Sequence, residues 1–238
     1  GNKFEFRMPG SSFSISGPNT VMNTIVADVL KQFADELESA ESFDYAVMHL
    51  IRRTIREHKR IIFNGNNYTS EWVEEARRRG LVNFDNAVDA MTHLADEKNI
   101  ELFARHGIYT ETELRSRQEI LLEEYVKVVH IEALTMLDMV RREILPAVSH
   151  FTSNLGAAAK ALSRLSKLMT KMYEGAEKLN EVLENAPADD ALETARYSRD
   201  QVLPGMRALR EAVDSAELIT GAKDWPYPTY GEMLFSVM

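Results

Sequence analysis

TETELRSRQEILLEEYVKVVHIEALTMLDMVRREIL, residues 110–145, decides the fold. Thr110 and Glu113 are spaced as a capping box, in which hydroxyl and carboxylate each satisfy an orphaned backbone N–H. No Gly or Pro interrupts the run until Pro146, so it predicts a helix of about 50 Å. From Ile120 onward apolar residues occupy most of the cylinder, and Glu123, Lys127, His130, Asp138 and Arg141 form one narrow polar stripe. A helix apolar on so many sides needs several neighbours to cover it. The expected fold class is therefore mainly α, an antiparallel bundle of long helices with this one as its axis.

Downstream, Pro146 lacks an N–H and should kink or break the axis helix. Apolar residues nevertheless continue at three- and four-residue steps from Val148 through Leu183. Asn185-Ala-Pro-Ala-Asp is the next stop signal, and Asp190 with Glu193 begins a third long helix, with Val202, Leu209, Val213 and Ala216 inward. Three long helices running out, back and out again make an antiparallel bundle with a coiled-coil-like seam. The Met-rich faces at Met136, Met139, Met169 and Met172 read as flexible core filler. Arg-Glu-Ile-Leu-Pro-Ala-Val at 142–148 is echoed by Asp-Gln-Val-Leu-Pro-Gly-Met at 200–206. One echo indicates two similar kinks and no repeat protein.

Upstream of the axis, Pro18 suits the first turn of a helix ending near Ser39, and a second helix runs from Ser42 or Phe43 to about His58. Its basic end, Arg52, Arg53, Arg56, Lys59 and Arg60, complements the helix dipole, with a phosphate or subunit contact as the alternative. Ser70 starts a short helix that Gly80 stops, with Glu71, Glu74 and Glu75 early and Arg77 to Arg79 late; this order follows the dipole and does not suggest a metal site. Two further short helices, near 85–94 and 96–107, lead to the axis. The six His include no His-Glu-x-x-His pattern, so no zinc site is indicated. There is no Gly-rich phosphate loop or nucleophile elbow.

The 238 residues carry a formal charge of -9 and no Cys. An acidic chain disfavours nucleic acid or an anionic membrane as the main partner, since both need a basic surface. Without thiols there is no disulfide framework, which fits a reducing cytoplasm. No run is apolar enough to span a bilayer.

Lys3-Phe4-Glu5-Phe6-Arg7 alternates strictly, with two aromatics on one strand face and three charges on the other. Such a charged face suits either a wet sheet surface or the wall of a polar site. The chain starts at Gly1 and enters this pattern at once, so it reads as a piece of a longer polypeptide. GNKFEFRMPGSS resembles the strand of glutamine synthetases that carries a divalent-cation ligand. The blocks SISGPNTVMNTIVAD, RIIFNGNNYTSEWVEEARRRGL, NIELFARHGIYTETELRSRQEILLEEY and HIEALTMLDMVRREILPAV look like the type III branch of that family. The resemblance implies an ATP-dependent glutamate–ammonia ligase that phosphorylates the γ-carboxylate of glutamate before ammonia displaces the phosphate. It implies that Glu5 holds one of two Mg²⁺ or Mn²⁺ ions, that Arg7 neutralises the transferring phosphoryl group or the glutamate carboxylate, and that Lys3 stands near the nucleotide, where other branches have Arg. Hard cations prefer carboxylate oxygen, and guanidinium grips phosphate or carboxylate bidentately.

It further implies a homo-oligomeric ring with active sites shared between subunits, and three regions. These are a remnant of the α+β catalytic domain over 1–62, contributing a small strand; a helical extension over 63–220; and an extended tail over 221–238. In the tail, Trp225-Pro-Tyr-Pro-Thr-Tyr is followed by alternating Met233, Phe235 and Val237, which predicts a terminal strand returning to the catalytic domain. A Pro-rich peptide ligand is the other reading of that tail. The isolated 238 residues are expected to be inactive. The alternative from a different class is a non-catalytic helical module for assembly or regulation.

Overall fold

Thr110 opens its helix as the spacing predicts: its backbone N–H donates to the Glu113 carboxylate at 2.8 Å, and the Glu113 N–H donates to the Thr110 hydroxyl at 3.3 Å. The structure, a computed structural model, describes residues 13–156 and 159–235, and no strand occurs among the described residues. The expected strand at Lys3–Arg7 lies outside them. The chain divides into two compact units, with the boundary between Gln118 and Glu119; the first turns of the helix after Thr110 belong to one and the remainder to the other. No helix of the described residues is long and apolar enough to cross a membrane.

The first unit holds α1 (Ser16–Glu38), α2 (Phe43–His58), a 3₁₀ turn (Lys59–Ile61), α3 (Ser70–Arg78), α4 (Ala87–Thr92), α5 (Glu97–Arg105) and the start of α6 (Glu111–Met139). These bounds follow the sequence signals closely. Gly80 takes φ +67°, the left-handed stop expected after α3. The small core of this unit gathers Ala95, Ile100 and Phe103 around Leu114. Gln118 donates to the carbonyls of Met91 and Thr92 and so ties the base of α6 to the end of α4. The rest of α1 and α2 is thinly covered, and Leu30, Met48 and Ile55 are exposed.

In the second unit α6 does not stop before Pro146. Val140–Ile144 forms a single π turn in which the Leu145 N–H donates to the Val140 carbonyl, five residues back, and α7 (Leu145–Ser153) continues beyond it. Proline would clash with the carbonyl four residues before it, and it has no N–H to give that carbonyl. The π turn opens the helix at this place, and the chain continues as a helix through Pro146. The echo at 200–206 repeats the device. After α9 (Ala191–Tyr197), a π turn spans Ser198–Val202, the Leu203 N–H donates to the Ser198 carbonyl, and α10 (Leu203–Glu217) begins with Pro204 in its first turn.

The reversal lies later than Pro146. The first leg runs to Ser153, and Gly156 at φ +54° takes a conformation that side chains with a Cβ resist. α8 (Ala159–Glu184) forms the second leg and packs on α7, α10 and both π turns. An apolar core of Val129, Ala133, Leu137, Val148, Leu165, Met172, Leu179 and Leu209 joins the legs. Along the seam, a Cβ built on Gly175 would come 3.3 Å from Cδ1 of Leu209, and one built on Gly205 would come 3.3 Å from Cδ1 of Leu179. Each Leu thus sits over a Gly of the opposite helix. That reciprocal pairing fixes α8 and α10 as antiparallel and close.

Two expectations change. The axis helix is not covered all round: Leu122, Val129 and Leu137 are buried, whereas Ile120, Val128, Ile131 and Leu134 are exposed. Its extra apolar residues lie on a face that stays partly open to solvent. The predicted terminal strand is instead helix α11 (Tyr230–Phe235) as far as the described residues reach. Thr229 and Glu232 form a second capping box, with N–H donations of 2.7 and 3.3 Å, and local capping outweighs the two-residue alternation of Met233 and Phe235.

Candidate functional site

Lys3, Glu5 and Arg7, the residues that the sequence marks for metal and phosphate chemistry, all lie outside the described residues. Among the described residues no group of three or more His, Asp or Glu could hold a metal ion. The charged clusters there are braces. Arg53 from the basic end of α2 grips Glu36 of α1 through both guanidinium NH groups, one at 3.0 Å, and the pairing lowers the Glu36 carboxyl. Glu75, from the acidic start of α3, accepts from Arg78 and Arg79, which hold its carboxyl down at about 2. Arg79 also donates to the carbonyls of Arg60 and Ile62 and lies over the stacked rings of Phe63 and Trp72. The dipole reading of these groups agrees with the pairs they make.

A second cluster joins α1 to the end of α5. His106 Nε2 lies 2.9 Å from Asp28 Oδ1, and Arg105 Nε is 3.2 Å from the same oxygen. The His106 hydrogen bond is the largest cause of the lowered Asp28 carboxyl. Beside it Thr20, Asn23 and Thr24 line a cavity of about 280 Å³. The Thr24 hydroxyl donates to the Thr20 carbonyl, so no free nucleophile faces the histidine from that position.

A concavity of mixed chemistry lies in the second unit. After α10 the Thr220 hydroxyl donates to Ala216, and the Asp224 and Trp225 N–H groups both donate to Gly221, which turns the tail back on the bundle. Trp225 and Tyr227 then pack against the core. Between that tail, α10 and the π-turn stretch of α6 lies a cleft of about 640 Å³. The Tyr227 hydroxyl is sealed from solvent, and no well-aligned hydrogen bond reaches it among the described residues. Burial first, and then the neighbouring Glu143 carboxylate, push it up to about 12. Sequence reasoning missed this cleft because its walls lie far apart along the chain. Met136 and Met139, read from the sequence as core filler, do pack against the core and also line the cleft, whereas Met172 is fully buried. The available signal was aromatic: Trp225, Tyr227 and Tyr230 cluster around Pro226 and Pro228.

Comparison with known proteins gives one consistent answer. The family model for the glutamine synthetase C-terminal domain matches residues 46–163. A glutamine synthetase of Butyrivibrio fibrisolvens is 36% identical over 267 aligned residues, covering 100% of this chain and 36% of that protein. The type-3 glutamine synthetase of Dictyostelium discoideum is 34% identical, covering 99% of this chain and 35% of its own length. A glutamine synthetase of Bacteroides fragilis is 28% identical over 99% of this chain. The chain spans about a third of the length of the curated relatives it matches. Capped helices, a helical bundle and chain-long similarity lead to one conclusion: the chain belongs to the glutamine synthetase family, whose C-terminal portion it matches.

Proposed function

We propose that this chain is part of a type III glutamine synthetase, an ATP-dependent glutamate–ammonia ligase acting through γ-glutamyl phosphate. The observation that carries the reading is similarity along essentially the whole chain to relatives so named, one of them type-3. Glu5 offers the hard carboxylate oxygen that Mg²⁺ or Mn²⁺ requires. Bound there, such an ion would neutralise charge on the nucleotide phosphates. Arg7 would hold the transferring phosphoryl group or the substrate carboxylate through its planar fork, and Lys3 would contact the nucleotide. The helices from α1 onward would brace the segment that carries these three residues. Other ligands and the ammonia site would come from the portion that precedes the match in the relatives, so the 238 residues alone should make no glutamine. Assembly into a cytoplasmic homo-oligomeric ring belongs to the same reading, supported by the apolar side chains that α1 and α2 leave exposed.

The test places Glu5→Ala and Arg7→Ala in the complete ligase. Each should lower glutamine formation by roughly a hundredfold or more, as loss of one electrostatic partner of a transition state does, without shifting the melting temperature. A second reading, a helical module for assembly or regulation without chemistry of its own, is favoured by the exposed row Ile120, Ile131 and Leu134 on α6. It predicts the reverse: Glu5→Ala leaves turnover intact, while Ile131→Ser with Leu134→Ser changes the oligomeric state.

A further inference from the structure

The cleft between the tail and α6 has a composition that the proposed ligase chemistry does not use. Its walls combine Trp225 and Tyr227 with Met136, Met139 and Met206. Thioether and aromatic side chains together make an adaptable, polarisable apolar surface, and about 640 Å³ falls within the range of small-molecule sites. The charged residues that line the cleft are Glu132, Asp214, Glu217 and Arg210. Arg210 and Asp214 pair with each other at 3.3 Å and cancel. Glu132 and Glu217 make no ion pair or hydrogen bond among the described residues, so the cleft carries two uncompensated negative charges.

We propose that this cleft binds a small organic cation, an ammonium group on an aromatic or branched aliphatic body. Both parts of such a ligand find a complement. The body would replace water over the Met and aromatic surface, which is favourable in proportion to the apolar area covered. The head would be drawn to Glu132 and Glu217 and to the negative faces of the rings, the arrangement by which aromatic residues recognise quaternary and primary ammonium groups. A carboxylate of the same shape would meet repulsion from both Glu, and an alcohol would gain nothing from them. The Glu143 carboxylate near the Tyr227 hydroxyl adds to the negative field on that side, whereas Asp138 is paired with Arg142 at 3.2 Å. The site belongs wholly to the second unit and does not depend on Glu5 or Arg7.

The protein has two Trp, Trp72 in the first unit and Trp225 in the cleft. Labelling with 5-fluorotryptophan therefore gives one ¹⁹F resonance at the site and one internal control, assigned through Trp72→Phe. The chain is titrated with 4-phenylbutylamine, 4-phenylbutanol and 4-phenylbutyrate, which share a body and differ in the head group. The amine should shift the Trp225 resonance saturably, with at least roughly tenfold higher affinity than the other two, and leave Trp72 unmoved. Glu132→Gln with Glu217→Gln, both at exposed positions that leave folding intact, should weaken the amine about fivefold or more and leave the alcohol unchanged. Equal binding of all three probes would reduce the cleft to a nonspecific apolar surface and overturn the proposal, as would no shift with the amine. A Trp225 shift that depends on protein concentration without any probe would assign the cleft to a second copy of the chain, and that also overturns it.

Discussion

The close seam between α8 and α10 makes a sign prediction. Gly175→Ala in a helix interior ordinarily stabilises by about 0.8–1 kcal/mol, because Ala has less backbone freedom to lose. Here the new Cβ would stand 3.3 Å from Cδ1 of Leu209 and 3.8 Å from its Cα, and Leu209 is fully buried. A side chain enclosed on all sides cannot yield cheaply, and overpacking of this kind costs about 1–3 kcal/mol. The steric cost exceeds the gain in helix propensity, so Gly175→Ala should destabilise the second unit by roughly 1 kcal/mol. In a Leu209→Ala background, itself costing about 2–5 kcal/mol, the obstacle is gone. There the same substitution should stabilise, giving a coupling of about 2 kcal/mol between the two positions. Urea unfolding followed at the ¹⁹F resonance of Trp225 reads this unit, and Trp72 reads the other. If Gly175→Ala stabilises the native sequence, or acts alike in both backgrounds, the seam is looser than these distances imply and the steric explanation is refuted.

Tyr227→Phe removes a buried hydroxyl that has no well-aligned partner, so it should be neutral or stabilising by up to about 1 kcal/mol; a loss above that by urea titration would reveal a hydrogen bond that the hydroxyl makes. Glu75 is held at about 2 when folded. A depressed carboxyl contributes stability above its unfolded value and loses it as pH falls through the folded one. Acid titration of the Trp72 signal between about pH 5 and 2 should therefore be shallower in Glu75→Gln, and identical curves would show that Glu75 contributes nothing to acid sensitivity. Thr110→Ala deletes the cap of α6 and should cost about 1 kcal/mol in the first unit, measured at Trp72. The matching change Thr229→Ala should leave the Trp72 transition where it is.

Much of the helical framework was legible because its ends are written in local chemistry. Thr110 with Glu113 and Asp190 with Glu193 form the caps that their spacing announces, the latter with a 2.7 Å donation from the Glu193 N–H to Asp190. Gly80 stops α3 as expected. The reversal at Gly156 was hidden because Phe151, Leu155 and Leu162 keep helical spacing across it, and a break at Pro146 looked sufficient. The π turns leave no mark of their own in side-chain type, so the two Leu-Pro echoes told where but not how the helices adjust. At α11 two rules conflicted, alternation for a strand and Thr229 with Glu232 for a cap, and the second prevailed. The site residues read from resemblance, Lys3, Glu5 and Arg7, stand outside the described residues, whereas the cleft is formed by tertiary packing of distant segments.

The paired π turns also set rules for splicing these helices. A π turn takes up an extra residue, so side chains beyond Leu145 point about 100° away from where an uninterrupted α-helix would send them. The same phase slip occurs at Ser198–Val202, while α8 between them has none. A chimera that swaps the first or third leg with a partner lacking the slip would rotate every downstream contact out of the seam, even with each residue type preserved. Crossover points should therefore fall at Asn154–Gly156 or Asn185–Asp190, so that each leg is exchanged as a whole.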